Sequence, residues 1–196
     1  IARSRLRQKV AGGGRQMTAE EKINEDLTSL SGYTIRDIEA SDIENIAAMH
    51  KENFSDCWTA DMIKGSFHSD GFYGGLIETY DNREQKTGTC IVENAPQSED
   101  KTKKIACTVM FSSVLGEAEL LSVVTERSFR RKGLGELLLK RYFDKLKADG
   151  EKTIFLEVRE SNKAAISLYD KLGFVKISER KKYYGEETAV IMRKEL

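Results

Sequence analysis

An apolar run from Leu120 to Thr125 leads, through Glu126 to Phe129, into Arg130-Arg131-Lys132-Gly133-Leu134-Gly135 and then into a strongly patterned helix. No other stretch constrains the fold as much. A strand, a glycine turn and a helix start in that order make a β-α unit with a backbone cradle at its junction. Gly133 and Gly135 lack side chains, so successive N–H groups can close around an anion. The helix that follows adds unpaired donors and the positive end of its dipole. A glycine pair alone is a weak signal, because a plain tight turn needs no more. The segments on either side decide what the turn is for.

Periodicity predicts a mixed α/β domain around this unit. Residues 33–38 read as a first strand. Ser41 and Glu44, three apart, have the signature of a capping box. The helix they open puts Ile43, Ile46, Ala47, His50 and Phe54 on one stripe, where His50 reads as a packed core histidine. Thr59 is expected to cap a second short helix carrying Met62, Ile63 and Phe67. Strands are predicted at 72–80, 105–114 and 118–125, the last two joined by a turn at Leu115-Gly116-Glu117. The helix after the cradle packs Leu138, Leu139, Tyr142, Phe143 and Leu146 and stops at Gly150. Residues 153–159 follow, apolar on both faces except at Glu157 and Arg159, the pattern of a buried central strand. A helix from Asn162 to Gly173 and strands near 174–181 and 187–195 complete the order β-α-α-β-β-β-α-β-α-β-β.

The chain has 196 residues, enough for one domain with a proper core. Its 32 Lys and Arg balance 32 Asp and Glu, so nucleic acid is not expected as the principal ligand. No apolar run approaches membrane-spanning length, and the basic N-terminal stretch lacks the apolar core of a signal peptide. Cys57, Cys90 and Cys107, far apart and odd in number, read as reduced packing thiols, which places the protein in the cytoplasm. With two histidines in the chain, no metal site is expected. Residues 1–32 read as a leader or tail, with Arg3, Arg5, Arg7, Lys9 and Arg15 around three glycines. Residues 33–196 form the expected domain. Its polar segment near 81–104, which holds the sole proline, Pro96, reads as a solvent-exposed insertion.

Downstream of the cradle stand Leu156-Glu157-Val158-Arg159, Ser161-Asn162, and Ala165-Ile166-Ser167-Leu168-Tyr169-Asp170-Lys171-Leu172-Gly173-Phe174. Together with it they resemble the GNAT superfamily of acetyl-CoA-dependent N-acetyltransferases, in which Arg/Gln-x-x-Gly-x-Gly/Ala cradles the pyrophosphate of coenzyme A. Within that superfamily the motifs are most similar to those of the RimI-type ribosomal-protein-alanine N-acetyltransferases. The resemblance is dense from Glu117 onward. It is looser from about Tyr33 to Asn82, where Cys57-Trp58-Thr59 stands at the family's Pro-Trp-Ser position. It implies an α/β GNAT (acyl-CoA N-acyltransferase) fold, a mixed central sheet with splayed strands flanked by helices. It also implies acetyl-CoA as cosubstrate, no metal, and direct attack in a ternary complex by the N-terminal α-amine of a protein. In the RimI type that amine belongs to the N-terminal alanine of a small-subunit ribosomal protein. The alternatives are a GNAT enzyme for lysine side chains or small amines, and a non-catalytic acetyl-CoA-binding module.

Acyl transfer to an amine needs a neutral amine, donors for the developing oxyanion and a proton for the leaving thiolate. Glu157 interrupts an apolar strand on the side of Phe155 and Arg159, where partial burial suits a carboxylate to act as a base. In RimI-type enzymes the glutamate of this motif has that role. The competing reading is a structural ion pair with Arg159 or a lysine. Glu119, where histone-type members place their glutamate, is the rival base. Tyr169 is the candidate acid, since a phenol with a pKa of about 10 is protonated at neutral pH; it also shares a helical stripe with Ala165 and Leu172 and could be a core aromatic.

The resemblance assigns cofactor contacts to Arg130, Arg131, Lys132, Gly133, Leu134 and Gly135, to the strand edge at Val123, Val124 and Thr125, to Asn162, and to Tyr169. Ser122 stands where the family often has Asn. Trp58, Tyr183 and Tyr184 fall in the expected acceptor groove, although the loop Gly185-Glu186-Glu187 is shorter than usual. An α-amine with a pKa of about 8 is roughly a tenth neutral at pH 7, whereas a lysine is neutral to under about a thousandth. One carboxylate base therefore has less to do for a chain end.

Overall fold

The computed structural model describes residues 32–54, 57–80 and 103–196. Its strands are β1 (Tyr33–Asp37), β2 (Phe72–Tyr80), β3 (Lys103–Val114), β4 (Glu117–Thr125), β5 (Thr153–Arg159), β6 (Val175–Tyr184) and β7 (Glu187–Glu195). Its helices are α1 (Ile43–Asn53), α2 (Ala60–Phe67), α3 (Leu134–Ala148) and α4 (Lys163–Lys171). The order of strands and helices is the one the periodicity predicts. The strands form one seven-stranded sheet, β1-β2-β3-β4-β5-β7-β6. Every neighbouring pair is antiparallel except β4 and β5, which run parallel because α3 carries the chain between them.

The apolar spacing of α3 puts Leu134, Leu138, Leu139, Tyr142, Phe143 and Leu146 on one buried face. They pack on the sheet with Phe111, Leu120, Ile154 and Leu156, and Tyr169 and Leu172 of α4 join the same cluster. On the other side of the sheet, Ile43 and Ile46 of α1 and Ile63 of α2 cover Leu76 and Met110. Buried Asp42 and Glu78 are both held by Arg36, at 2.6 and 3.1 Å, and Glu78 also by Lys103 at 2.7 Å. These bonds hold the first three strands and the start of α1 in register.

Several local expectations need correction. The Ser41–Glu44 box does not form. Asp42 instead accepts from the Glu39 N–H at 2.8 Å while bound to Arg36, so the chain enters α1 through a 3₁₀ turn, Ala40–Asp42. Thr59 does cap α2, accepting from the Met62 N–H at 3.3 Å, but the Met62 side chain is exposed. Strand β5 is not buried on both faces. Ile154, Leu156 and Val158 face α3 and α4, while Phe155, Glu157 and Arg159 on the other side are half-buried. Lys103 and Lys104 belong to β3, where Lys103 pairs with Tyr80, rather than to the insertion. Residues 1–31, and 81–102 with Cys90 and Pro96, lie outside the described residues.

Candidate active site

The site arises where two parallel strands part. β4 and β5 are paired only from Glu117–Leu120 against Thr153–Leu156. Met110 then faces Ser122 and Phe111 faces Leu120, so Leu121 is the extra residue of a β-bulge. Beyond it β4 stays with β3 to Thr125, while β5 stays with β7 to Arg159. The gap exposes one backbone edge of β4. A cavity of about 260 Å³ occupies it. Its walls are Leu120, Leu121, Ser122 and Val123 of β4, Glu157, Val158 and Arg159 of β5, and Asn162, Ala165 and Tyr169 from α4 and its cap. His50, Phe54, Trp58 and Tyr184 close the remaining sides.

At the end of β4 the chain makes a 3₁₀ turn, Arg127–Phe129, capped by Glu126, whose carboxylate accepts from the Ser128 N–H at 2.9 Å. It then turns through Arg131, with φ of 64°, and Gly133, with φ of 77°, into α3. The left-handed conformation at Gly133 is where a glycine is needed, and a Cβ there would meet nothing within 4 Å. At Gly135 a Cβ would lie 3.5 Å from Thr125 Oγ1 and 3.8 Å from Val123 Cγ1, so the missing side chain keeps the space between helix start and strand open. The first N–H groups of α3 have no acceptor within the helix. A glycine-lined helix start of this kind suits an anion.

The expected cofactor residues divide by role. Arg131 and Lys132 are exposed beside the cradle, with the Lys132 ammonium 5.0 Å from the centre of the Phe129 ring. Arg130 is a brace: its guanidinium donates to the Thr125 carbonyl at 3.1 Å and to the Asn53 amide oxygen, tying the turn to β4 and α1. Leu134 and Val124 are buried core side chains, so they could contribute only backbone. Thr125 Oγ1 lies 3.3 Å from the buried Cys107 sulfur, whose thiol burial pushes up to about 11. Val123 lines the cavity. Asn162 also lines it while capping α4, its side chain accepting from the Ala165 N–H at 3.1 Å.

Both candidate catalytic side chains reach the cavity. Glu157 is paired through Oε1 with Arg180 Nη1 at 2.7 Å, a partner from β6 rather than the expected Arg159 or lysine. Arg159 instead donates to Glu187 at 2.9 Å and lies 4.1 Å over the Tyr184 ring. Tyr169 is both a core and a cavity residue. It is 8% exposed, packs edge-on against Phe174 at 5.6 Å, and burial pushes its phenol up to about 12. Glu119 is outside the cavity lining. Loss of water and then the nearby charge of Glu157 raise its carboxyl, while Arg180 opposes them. Of the expected acceptor residues, Trp58 and Tyr184 line the cavity. Tyr183 does not: it is half-exposed on the other side of Tyr184, with Arg180 5.3 Å over its ring.

His50 was legible only in part. It is fully buried, as its stripe implies, yet it also lines the cavity, with Nε2 3.3 Å from Ser122 Oγ. Burial lowers its pKa to about 4, so the ring is neutral, and Nδ1 has no partner among the described residues. The one signal in the sequence was a polar residue on an apolar stripe.

A family model described as the acetyltransferase (GNAT) family matches residues 46–174. The chain belongs to that family. The [Ribosomal protein bS18]-alanine N-acetyltransferase of Salmonella typhimurium is 42% identical over 93 residues. That match spans 45% of this chain and 63% of the relative, less than two thirds of its length. The crystal structure of the ribosomal-protein-S18-alanine N-acetyltransferase from Escherichia coli superposes with a TM-score of 0.66 at 26% identity, over 83% of this chain and 93% of that one. Arabidopsis thaliana NAA60, solved in complex with acetyl-CoA, has a TM-score of 0.66 at 15% identity over 84% of this chain and 98% of that one, a likeness of fold. The GNAT fold and the RimI-type resemblance drawn from the motifs are borne out. Among the described residues no helix is long and apolar enough to cross a membrane.

Proposed function

We propose that this GNAT domain, residues 33–196, transfers an acetyl group from acetyl-CoA to the N-terminal α-amine of a protein, with the N-terminal alanine of a small-subunit ribosomal protein as the favoured acceptor. The observation that carries this reading is the meeting of Glu157, Tyr169 and Tyr184 in one cavity, at the point where β4 and β5 part. Acetyl-CoA, when bound, supplies the acetyl group as a thioester. The cradle at Gly133–Gly135 suits its diphosphate, and the open edge of β4 at Val123 offers backbone groups for its amide arm and for the oxyanion. Glu157 takes the proton of the acceptor ammonium, directly or through water. The freed amine attacks the thioester carbonyl. Tyr169, kept protonated by burial, would give its proton to the departing sulfur and regain one from the attacking nitrogen, directly or through water, as the amide forms.

Two features support a chain end over a lysine. The cavity of about 260 Å³ is small, and Trp58, Phe54 and Tyr184 wall it. Glu119, the base a lysine or small-amine enzyme would use, lies outside the lining. Replacing each carboxylate tests the assignment on a peptide with a free N-terminal alanine. Glu157→Gln is expected to lower turnover by about 10²–10⁴ while acetyl-CoA affinity holds. A crippled Glu119→Gln beside a near-normal Glu157→Gln would assign the base to Glu119.

A further inference from the structure

Glu157 has two sides. It lines the cavity, and it is bound by Arg180 through one oxygen at 2.7 Å. Arg180 reaches it from an edge strand, because β6 pairs with β7 and β7 with β5: Arg180 faces Ala189, which in turn faces Arg159. Arg180 is itself steadied from behind by the ring of Tyr183, 5.3 Å from its guanidinium carbon. Such a stack orients the planar fork that a carboxylate binds.

The surrounding charges give this contact a purpose. Glu119 on β4 stands beside Phe155 in the parallel pair, on the same face as Glu157. The two carboxylates repel, and Arg180 attracts both. Arg159 on the same strand is engaged with Glu187 and Tyr184. Arg193 of β7, on the same face, is paired with Glu195 at 2.5 Å. Tyr184 feels the charge of Glu157, and His50 across the cavity is a neutral ring. Arg180 is therefore the cation in direct contact with the candidate base.

We propose that Arg180 is a positioning residue for the transfer reaction: by binding Oε1 of Glu157 and stacking on Tyr183, it fixes that carboxylate at the cavity wall against the repulsion of Glu119 and presents its other oxygen to the acceptor. Tyr183, which misses the cavity, thereby acts through Arg180. The inference rests on Glu157 being the base.

The test compares Arg180→Met, Arg180→Lys and Arg180→Met/Glu119→Gln with the wild type. One readout is acetyl transfer to a peptide with a free N-terminal alanine. The other is the pH titration of the Glu119 carboxyl carbon, read by NMR on glutamate-labelled protein. Arg180→Met is expected to lower kcat about tenfold with KM for acetyl-CoA unchanged, and to raise the Glu119 midpoint, because the cation that opposes the charge of Glu157 there is gone. Lysine should restore most of both. Adding Glu119→Gln should recover part of kcat, because the repulsion that Arg180 offsets is gone. A purely structural arginine predicts none of that recovery. An unchanged Glu119 titration in Arg180→Met, or a loss of kcat that neither lysine nor Glu119→Gln relieves, overturns the proposal. A wild type that acetylates no peptide would defeat the functional reading instead, and the Glu119 titration would still decide whether Arg180 offsets the repulsion between the two carboxylates.

Discussion

Acidification should unfold this domain through His50 before it does so through the carboxylates. An imidazole that titrates near 6.5 when solvated is held at about 4 by burial alone. The unfolded chain therefore takes up a proton that the folded one refuses. Stability is complete above about pH 6.5 and is lost as the pH falls toward 4. At 1.36 kcal/mol per decade of proton affinity, about 2–3 kcal/mol should disappear between pH 7 and 4.5. Asp42 and Glu78, whose carboxyls are lowered by their cationic partners, contribute stability that is lost only at lower pH, below their own unfolded values. Glu119, with its carboxyl raised, works in the opposite direction. The comparison that isolates His50 is urea unfolding of the wild type and His50→Gln at half-unit steps of pH. The variant starts less stable, because it loses the ring's packing against Phe54 at 5.6 Å, but its stability should be nearly flat from pH 7 to 4.5. Parallel curves for the two proteins would refute the reasoning, as would an NMR titration of His50 with a midpoint near 6.5.

Two further outcomes concern the cofactor side. Tyr169→Phe keeps the ring against Phe174 and removes the proton it can give, so coenzyme A binding should be unchanged in calorimetry while transfer slows about a hundredfold. Full activity would return Tyr169 to a purely packing role. Gly133→Asp places a carboxylate in open space beside the α3 N-terminus, in a left-handed conformation that Asp tolerates better than most residues. The protein should fold, and its affinity for coenzyme A should fall at least about tenfold, or 1.4 kcal/mol; equal affinity would remove the cradle from the account.

What was legible in the sequence was what neighbours along the chain decide. The apolar spacing of α3 needs no partner to be read, and Thr59 and Asn162 cap their helices through bonds three residues long. Glu157 and Tyr169 could be placed because their motifs sit on elements whose order is unambiguous. What escaped depends on pairing across the sheet. The bulge at Leu121 exists only in the register of β4 on β3. The Glu157–Arg180 bond needs the β5-β7-β6 order, which no local pattern contains. Asp42 displaced the Ser41 cap because Arg36, on another element, holds it. His50 shows the same limit: spacing put it on the buried stripe, but the opening of β4 and β5 beside that stripe is a property of the assembled sheet.

The central claim is that the cavity at the parting of β4 and β5 accepts a chain end. The most direct measurement uses two peptides of one sequence that starts with alanine and carries an internal lysine, one with a free N-terminus and one with it blocked. Mass spectrometry after incubation with the protein and acetyl-CoA locates the acetyl group. The free peptide should be acetylated at its α-amine and the blocked one not at all. Equal acetylation of the blocked peptide at its lysine would contradict it.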